Sequence, residues 1–196
     1  MYGSKQHLNS SMIFPRRVSQ AGENWIGNEG ATSLASALGA GANTRGLDTL
    51  DLHSNEIGAE GAGELAAALT RSSGMGYAAL RVLLLGNNAF GASGTAAVMD
   101  SALKNCPVLK ELDLSSNRAG EDGAEKIVEL LACSIDNSST VFSEKVVCKS
   151  SAGRMGRIRI DLRLNRIPAK ACEKLEALVS GALHVSVESL DLRGNS

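Results

Sequence analysis

The sequence predicts an α/β solenoid, a right-handed horseshoe of strand–turn–helix units with a parallel sheet on its concave side and helices outside. Three observations predict it. The spacing Leu-x-x-Leu-x-Leu-x-x-Asn recurs, small and apolar residues recur at fixed distances after each Asn, and aromatics are scarce. Of 196 residues, 43% are hydrophobic but only 3% aromatic, so the core must be built from Leu, Val, Ile and Ala in many similar thin layers.

The strands come first. The ladder reads Leu47, Leu50, Leu52, Asn55, then Leu80, Leu83, Leu85, Asn88, then Leu109, Leu112, Leu114, Asn117. Degraded copies follow at Ile160, Leu162, Asn165 and at Val187, Leu190, Leu192, Asn195. Leu-x-Leu has period two, so its leucines share one face of an extended strand. Each Asn falls where the chain leaves the strand. Asn55, Asn88, Asn117, Asn165 and Asn195 form a structural ladder whose amides satisfy backbone groups left unpaired by the bend.

The helices come next. Three residues after each Asn stand Gly27, Gly58, Gly91 and Gly120, then Pro168, which open a helix where the chain turns. Six residues after stand Gly30, Gly61, Gly94, Gly123 and Ala171, small enough to let the helix lie against the next unit. Leu34, Leu65, Val98, Ile127 and Leu175 are followed four residues later by Leu38, Leu69, Ala102, Leu131 and Val179, which puts both columns on one helical face. Each unit is thus about 30 residues and cannot bury its apolar face alone, so neighbours must stack.

A unit of the form L-x-x-L-x-L-x-x-N-x-[IL]-G-x-x-G-A resembles the ribonuclease-inhibitor-like leucine-rich repeats, found in ribonuclease inhibitors, NOD-like receptors and the Ran GTPase activator. The resemblance covers residues 23–196. It implies a curved array that binds proteins through its concave sheet. Residues 1–22 are expected to be a disordered lead-in or an eroded N-terminal cap, because Arg16 to Gln20 is polar where a strand should stand. An insertion is expected at about 134–156, since 48 positions separate Asn117 from Asn165. It is basic and Ser-rich and reads as a surface loop. The last unit ends at Ser196 without a helix, which predicts an open, truncated C-terminal end with an exposed strand edge.

The residues alternating with the leucines are expected to form the partner-binding face. They are Thr49, Asp51, His53; Val82, Leu84 and Gly86; Glu111, Asp113, Ser115; Arg159, Asp161, Arg163; and Ser189, Asp191, Arg193. Asp51, Asp113, Asp161 and Asp191 make a carboxylate column interrupted by Leu84. Carboxylates one strand apart, about 4.8 Å, repel, and Arg159, Arg163 and Arg193 are placed to offset this. Val82, Leu84 and Gly86 form an apolar strip within a charged surround, the composition of a protein-binding patch.

Other classes find little support. Twenty basic residues against 21 acidic leave a net charge of −1, which gives no global attraction to nucleic acid or anionic membrane. Only Phe142 in the basic insertion offers a base-stacking surface. No run of 18 apolar residues predicts a membrane helix. Cys106, Cys133, Cys148 and Cys172 form no C-x-x-C pair, so no metal is expected, and free thiols suit a reducing compartment, the cytoplasm or the nucleus. No phosphate loop, H-E-x-x-H or G-x-S-x-G motif is present, and His7, His53 and His184 assemble no triad. The expected function is a non-enzymatic protein-interaction scaffold without cofactor or small-molecule substrate. The alternatives are a Ran-type GTPase activator, whose arginine and acidic tail have no match here, and a cytoskeletal or axonemal assembly subunit.

Overall fold

The structure is a computed structural model, and it describes residues 18–39, 46–71, 79–135, 157–181 and 187–195. Strands and helices alternate: β1 (Val18–Gln20), α1 (Gly27–Gly39), β2 (Thr49–Asp51), α2 (Ala59–Arg71), β3 (Val82–Leu84), α3 (Gly91–Asn105), β4 (Glu111–Asp113), α4 (Gly120–Ile135), β5 (Ile158–Asp161), α5 (Ala169–Gly181) and β6 (Val187–Asp191). The strands form one parallel sheet in sequence order, β1-β2-β3-β4-β5-β6. Each is joined to the next through a helix, and the helices pack on one another in the same order. This is the α/β solenoid that the repeat predicts.

Burial follows the ladder. Leu50, Leu83, Leu112 and Ile160 point inward from the strands and are no more than 2% exposed. Leu52, Leu85, Leu114 and Leu162 follow them into the same layer, and Leu65, Val98, Ile127 and Leu175 close it from the helices. Burying one such side chain contributes about 1.5–3 kcal/mol, and stacking multiplies it along the array. The glycines six residues after Asn are needed for that stacking. A Cβ on Gly94 would lie 2.8 Å from the Cβ of Ala62 on the preceding helix, and one on Gly61 would lie 2.9 Å from the Cβ of Ala31. Gly27, Gly91 and Gly120 open their helices at φ of 56°, 64° and 65°, a conformation glycine adopts without steric cost.

β1 lies within the polar segment 1–22. Its backbone pairs with β2, Val18 opposite Thr49 and Gln20 opposite Asp51. The ladder position that is Leu52 in the next unit is Ala21 here, buried but too small to announce a strand. The insertion at 134–156 lies outside the described residues, except for the end of α4 at Ile135.

Candidate functional site

The strand register lines up the residues that alternate with the leucines. Thr49, Val82, Glu111, Arg159 and Ser189 form one row across the sheet, and Asp51, Leu84, Asp113, Asp161 and Asp191 the next. Backbone bonds from Ser54 to Gly86, Asn87 to Ser115, Ser116 to Arg163 and Leu164 to Arg193 carry the register onward. A third row therefore runs His53, Gly86, Ser115, Arg163, Arg193.

The second row has a structural duty in four units. Each Asp accepts a hydrogen bond from the backbone N–H two residues on: His53 to Asp51 at 3.2 Å, Ser115 to Asp113 at 2.8 Å, Arg163 to Asp161 at 2.9 Å and Arg193 to Asp191 at 3.1 Å. This local bond draws the chain out of the ladder, which explains Asp at this position without any ligand. Leu84 lacks it.

The Asn residues complete the bend. Asn88 Oδ1 accepts from the N–H groups of Asn55 and Ile57 at 3.1 and 3.0 Å, while its Nδ2 donates to the carbonyls of Leu52, Leu85 and Gly86. Asn165 repeats this, accepting from Asn117 and Ala119 and donating to Leu114, Leu162 and Arg163. Asn55 and Asn195 serve their own and the preceding units in the same way. One rung is broken. Asn117 donates to Leu85, Leu114 and Ser115, but its buried Oδ1 has no partner. By the pattern of the other rungs the N–H groups that would reach it are those of Asn88 and Phe90, and the turn at Asn88 is joined to this unit by the Gly91 N–H on the Asn117 carbonyl at 2.9 Å.

The ladder holds its neighbours in a costly conformation. Glu23, Trp25, Ser54, Glu56, Asn87, Ser116, Arg118, Leu164 and Arg166, which flank the turn asparagines, all have φ between 53° and 61°. A left-handed residue other than glycine costs about 1–2 kcal/mol, and the amide bonds on either side over-determine it.

Charge is distributed unevenly over the face. At the far end, Arg163 forks onto Asp161 (Nη2–Oδ2, 2.6 Å) and reaches Asp191 (3.6 Å), and Arg193 forks onto Asp191 (2.6 Å). The Arg193 hydrogen bond lowers the Asp191 carboxyl to about 2 and both guanidiniums are held above their ordinary value. Arg159 does not offset the column; it pairs with Glu188 on β6. Near the start, His53 Nδ1 meets Asp51 Oδ1 at 2.6 Å and Nε2 lies 3.5 Å from Glu23. The Asp51 hydrogen bond raises the imidazole above its ordinary pKa. Asp113 has no cation within ion-pair distance among the described residues; its carboxylate and the Ser115 hydroxyl lean over Gly86, where a Cβ would lie 2.8 Å from each.

The expected apolar strip is muted. Val82 and Leu84 are half-buried and Gly86 is buried. The large apolar side chains that stand exposed among the described residues are Trp25 (77%) and Leu164 (60%), both beside turn asparagines and off the sheet. Leucine periodicity gives no signal for either, because they lie outside its columns.

A family model described as a leucine-rich repeat matches residues 47–66 and 105–128. No curated protein matches the chain. Among solved structures, the chain is similar to the leiomodin-1 actin-binding site 2, with a TM-score of 0.59 at 18% identity over 87% of this chain and 83% of that one. Matched in sequence at two of its units and in fold along most of its length, the chain is a leucine-rich-repeat solenoid.

Proposed function

We propose that this chain is a non-enzymatic protein-interaction scaffold that takes its partner on the concave sheet, through Thr49, Asp51, His53, Val82, Leu84, Glu111, Asp113, Ser115, Arg159, Asp161, Arg163, Ser189, Asp191 and Arg193. The supporting observation is the register: three rows of side chains run side by side across the strands, giving one surface with half-buried apolar residues at Val82 and Leu84 and charge beyond them. Such a surface suits a protein segment, whose apolar residues meet the centre and whose polar groups meet the rim. The units are of the ribonuclease-inhibitor-like kind in this reading, each carrying a full helix of 13 to 16 residues outside.

The test is capture of partners from a lysate of the source cells by the full chain, identified by mass spectrometry, beside Leu84→Asp. Leu84 carries no structural hydrogen bond from its side chain, so the variant leaves the turn intact. Loss of a partner on Leu84→Asp, with an unchanged circular dichroism spectrum, supports the concave site. Equal capture by both proteins overturns it.

A second reading, a cytoskeletal assembly role, draws on the likeness to a leiomodin-1 region whose name includes actin binding. It makes monomeric actin the first purified partner to assay.

A further inference from the structure

The residue after each turn asparagine stands on one flank of the solenoid, where strand gives way to helix. In chain order these are Trp25, Glu56, Ala89, Arg118 and Arg166. Trp25, Glu56, Arg118 and Arg166 are exposed and Ala89 is half-buried. The four exposed side chains make no ion pair or hydrogen bond among the described residues, and all four sit at positive φ, which aims them off the stack. The flank is therefore polarised. An aromatic and an acid occupy one end, a small residue the middle, and two guanidiniums the other end.

We propose that this flank docks on the same flank of a second copy of the chain, in reversed order, about a two-fold axis through the turn at Asn88. The series is self-complementary when reversed. Trp25 meets Arg166, Glu56 meets Arg118 and Ala89 meets Ala89. The first is a cation over an indole face, the second an ion pair, and the third a small residue where two chains cross the axis. Symmetry makes the first two twice over, as an isologous interface requires. Leu164, 60% exposed and two residues before Arg166, extends the apolar surface that Trp25 covers.

The geometry permits all the pairs at once. Turns in both copies repeat at the same spacing, because both are set by the same sheet. A bent stack rotated about the radius through its third unit falls back onto its own arc with units one to five in reversed order, so curvature does not separate these pairs. Charge complementarity selects this occupant: the acidic end of the flank finds its counterpart on the basic end of the same flank. The concave sheet stays free for another partner.

Sedimentation equilibrium of the full chain tests the proposal. A reversible monomer–dimer equilibrium is expected at about 20 mM salt, weakened about tenfold or more at about 500 mM. Glu56→Arg sets arginine against arginine and Arg118→Glu sets acid against acid, so each alone abolishes the dimer, while the double exchange restores it. Trp25→Ser weakens it. All are exposed positions whose circular dichroism spectra and melts remain those of the parent. A chain that stays monomeric at low salt up to about 1 mM, well above a weak interface's reach, overturns the proposal. So does a dimer indifferent to both single reversals, or a double exchange that fails to restore it.

Discussion

The second and fifth units share a frame and differ in what hangs on it. In both, an aspartate accepts the N–H two residues on, and an asparagine ties the bend to its neighbour. The side chain two residues after the aspartate is His53 in one and Arg163 in the other. In the second unit it is a titratable imidazole held by Asp51 and Glu23; in the fifth it is a permanent cation shared by Asp161 and Asp191. The frame is therefore fixed by backbone needs, and the first and third rows are free to vary from unit to unit. The carboxylate column is first a row of turn-forming groups and only then a charged stripe.

Breaking the frame carries the largest expected effect. Asn88→Ala removes five side-chain bonds and strands buried N–H and carbonyl groups, a cost of about 2–4 kcal/mol. Asn117→Ala removes three and relieves an orphaned oxygen, so it costs about 1–2 kcal/mol. Urea melts of the two variants check the order. Equal midpoints would mean that the broken rung has no energetic meaning.

The third row is probed by pH. His53 has a raised folded pKa, so its pairing stabilises the protein fully below the ordinary value of 6.5 and the contribution is lost as pH rises through the raised one. His53→Gln should flatten that part of the stability curve, by a few tenths of a kcal/mol after solvent screening. Thermal melts from about pH 6 to 8 read it. The fifth unit offers the contrast, since Arg163→Met changes nothing in this window but makes stability less sensitive to salt.

Asp191 gives the smallest effect. Its carboxyl is lowered to about 2, so its contribution is complete above 3.8 and is lost as pH falls toward 2. Acid titration of Arg193→Met against the parent should differ only in that range.

What the sequence revealed follows the same division. The leucines, the helix columns and the glycines at close contacts are periodic, and periodicity is visible without coordinates. Ala21 shows the limit: it fills a ladder position with so little side chain that the segment holding β1 read as either a disordered lead-in or an eroded N-terminal cap. The turn of each aspartate onto the N–H two residues on leaves no mark in spacing, because the partner is backbone. Trp25 and Leu164 stand exposed for a related reason. Their positions are set by the φ that the Asn ladder imposes, and no residue preference announces it.

The unpaired oxygen of Asn117 also bears on cooperativity. In an array whose units touch only their neighbours, stability is a chain of couplings, and the array unfolds as one body only if no link is much weaker than the rest. The turns at Asn24, Asn55, Asn117 and Asn165 each give two N–H bonds to the Oδ1 of the next asparagine. The turn at Asn88 lacks that pair and is tied forward through the Gly91 N–H to the Asn117 carbonyl and the Asn117 Nδ2 to the Leu85 carbonyl. The link between the third and fourth units is thus short of two hydrogen bonds that its neighbours have. Native-state hydrogen exchange is expected to show amides on the two sides of this link opening as separate groups, and exchange in a single group would show that the remaining bonds suffice.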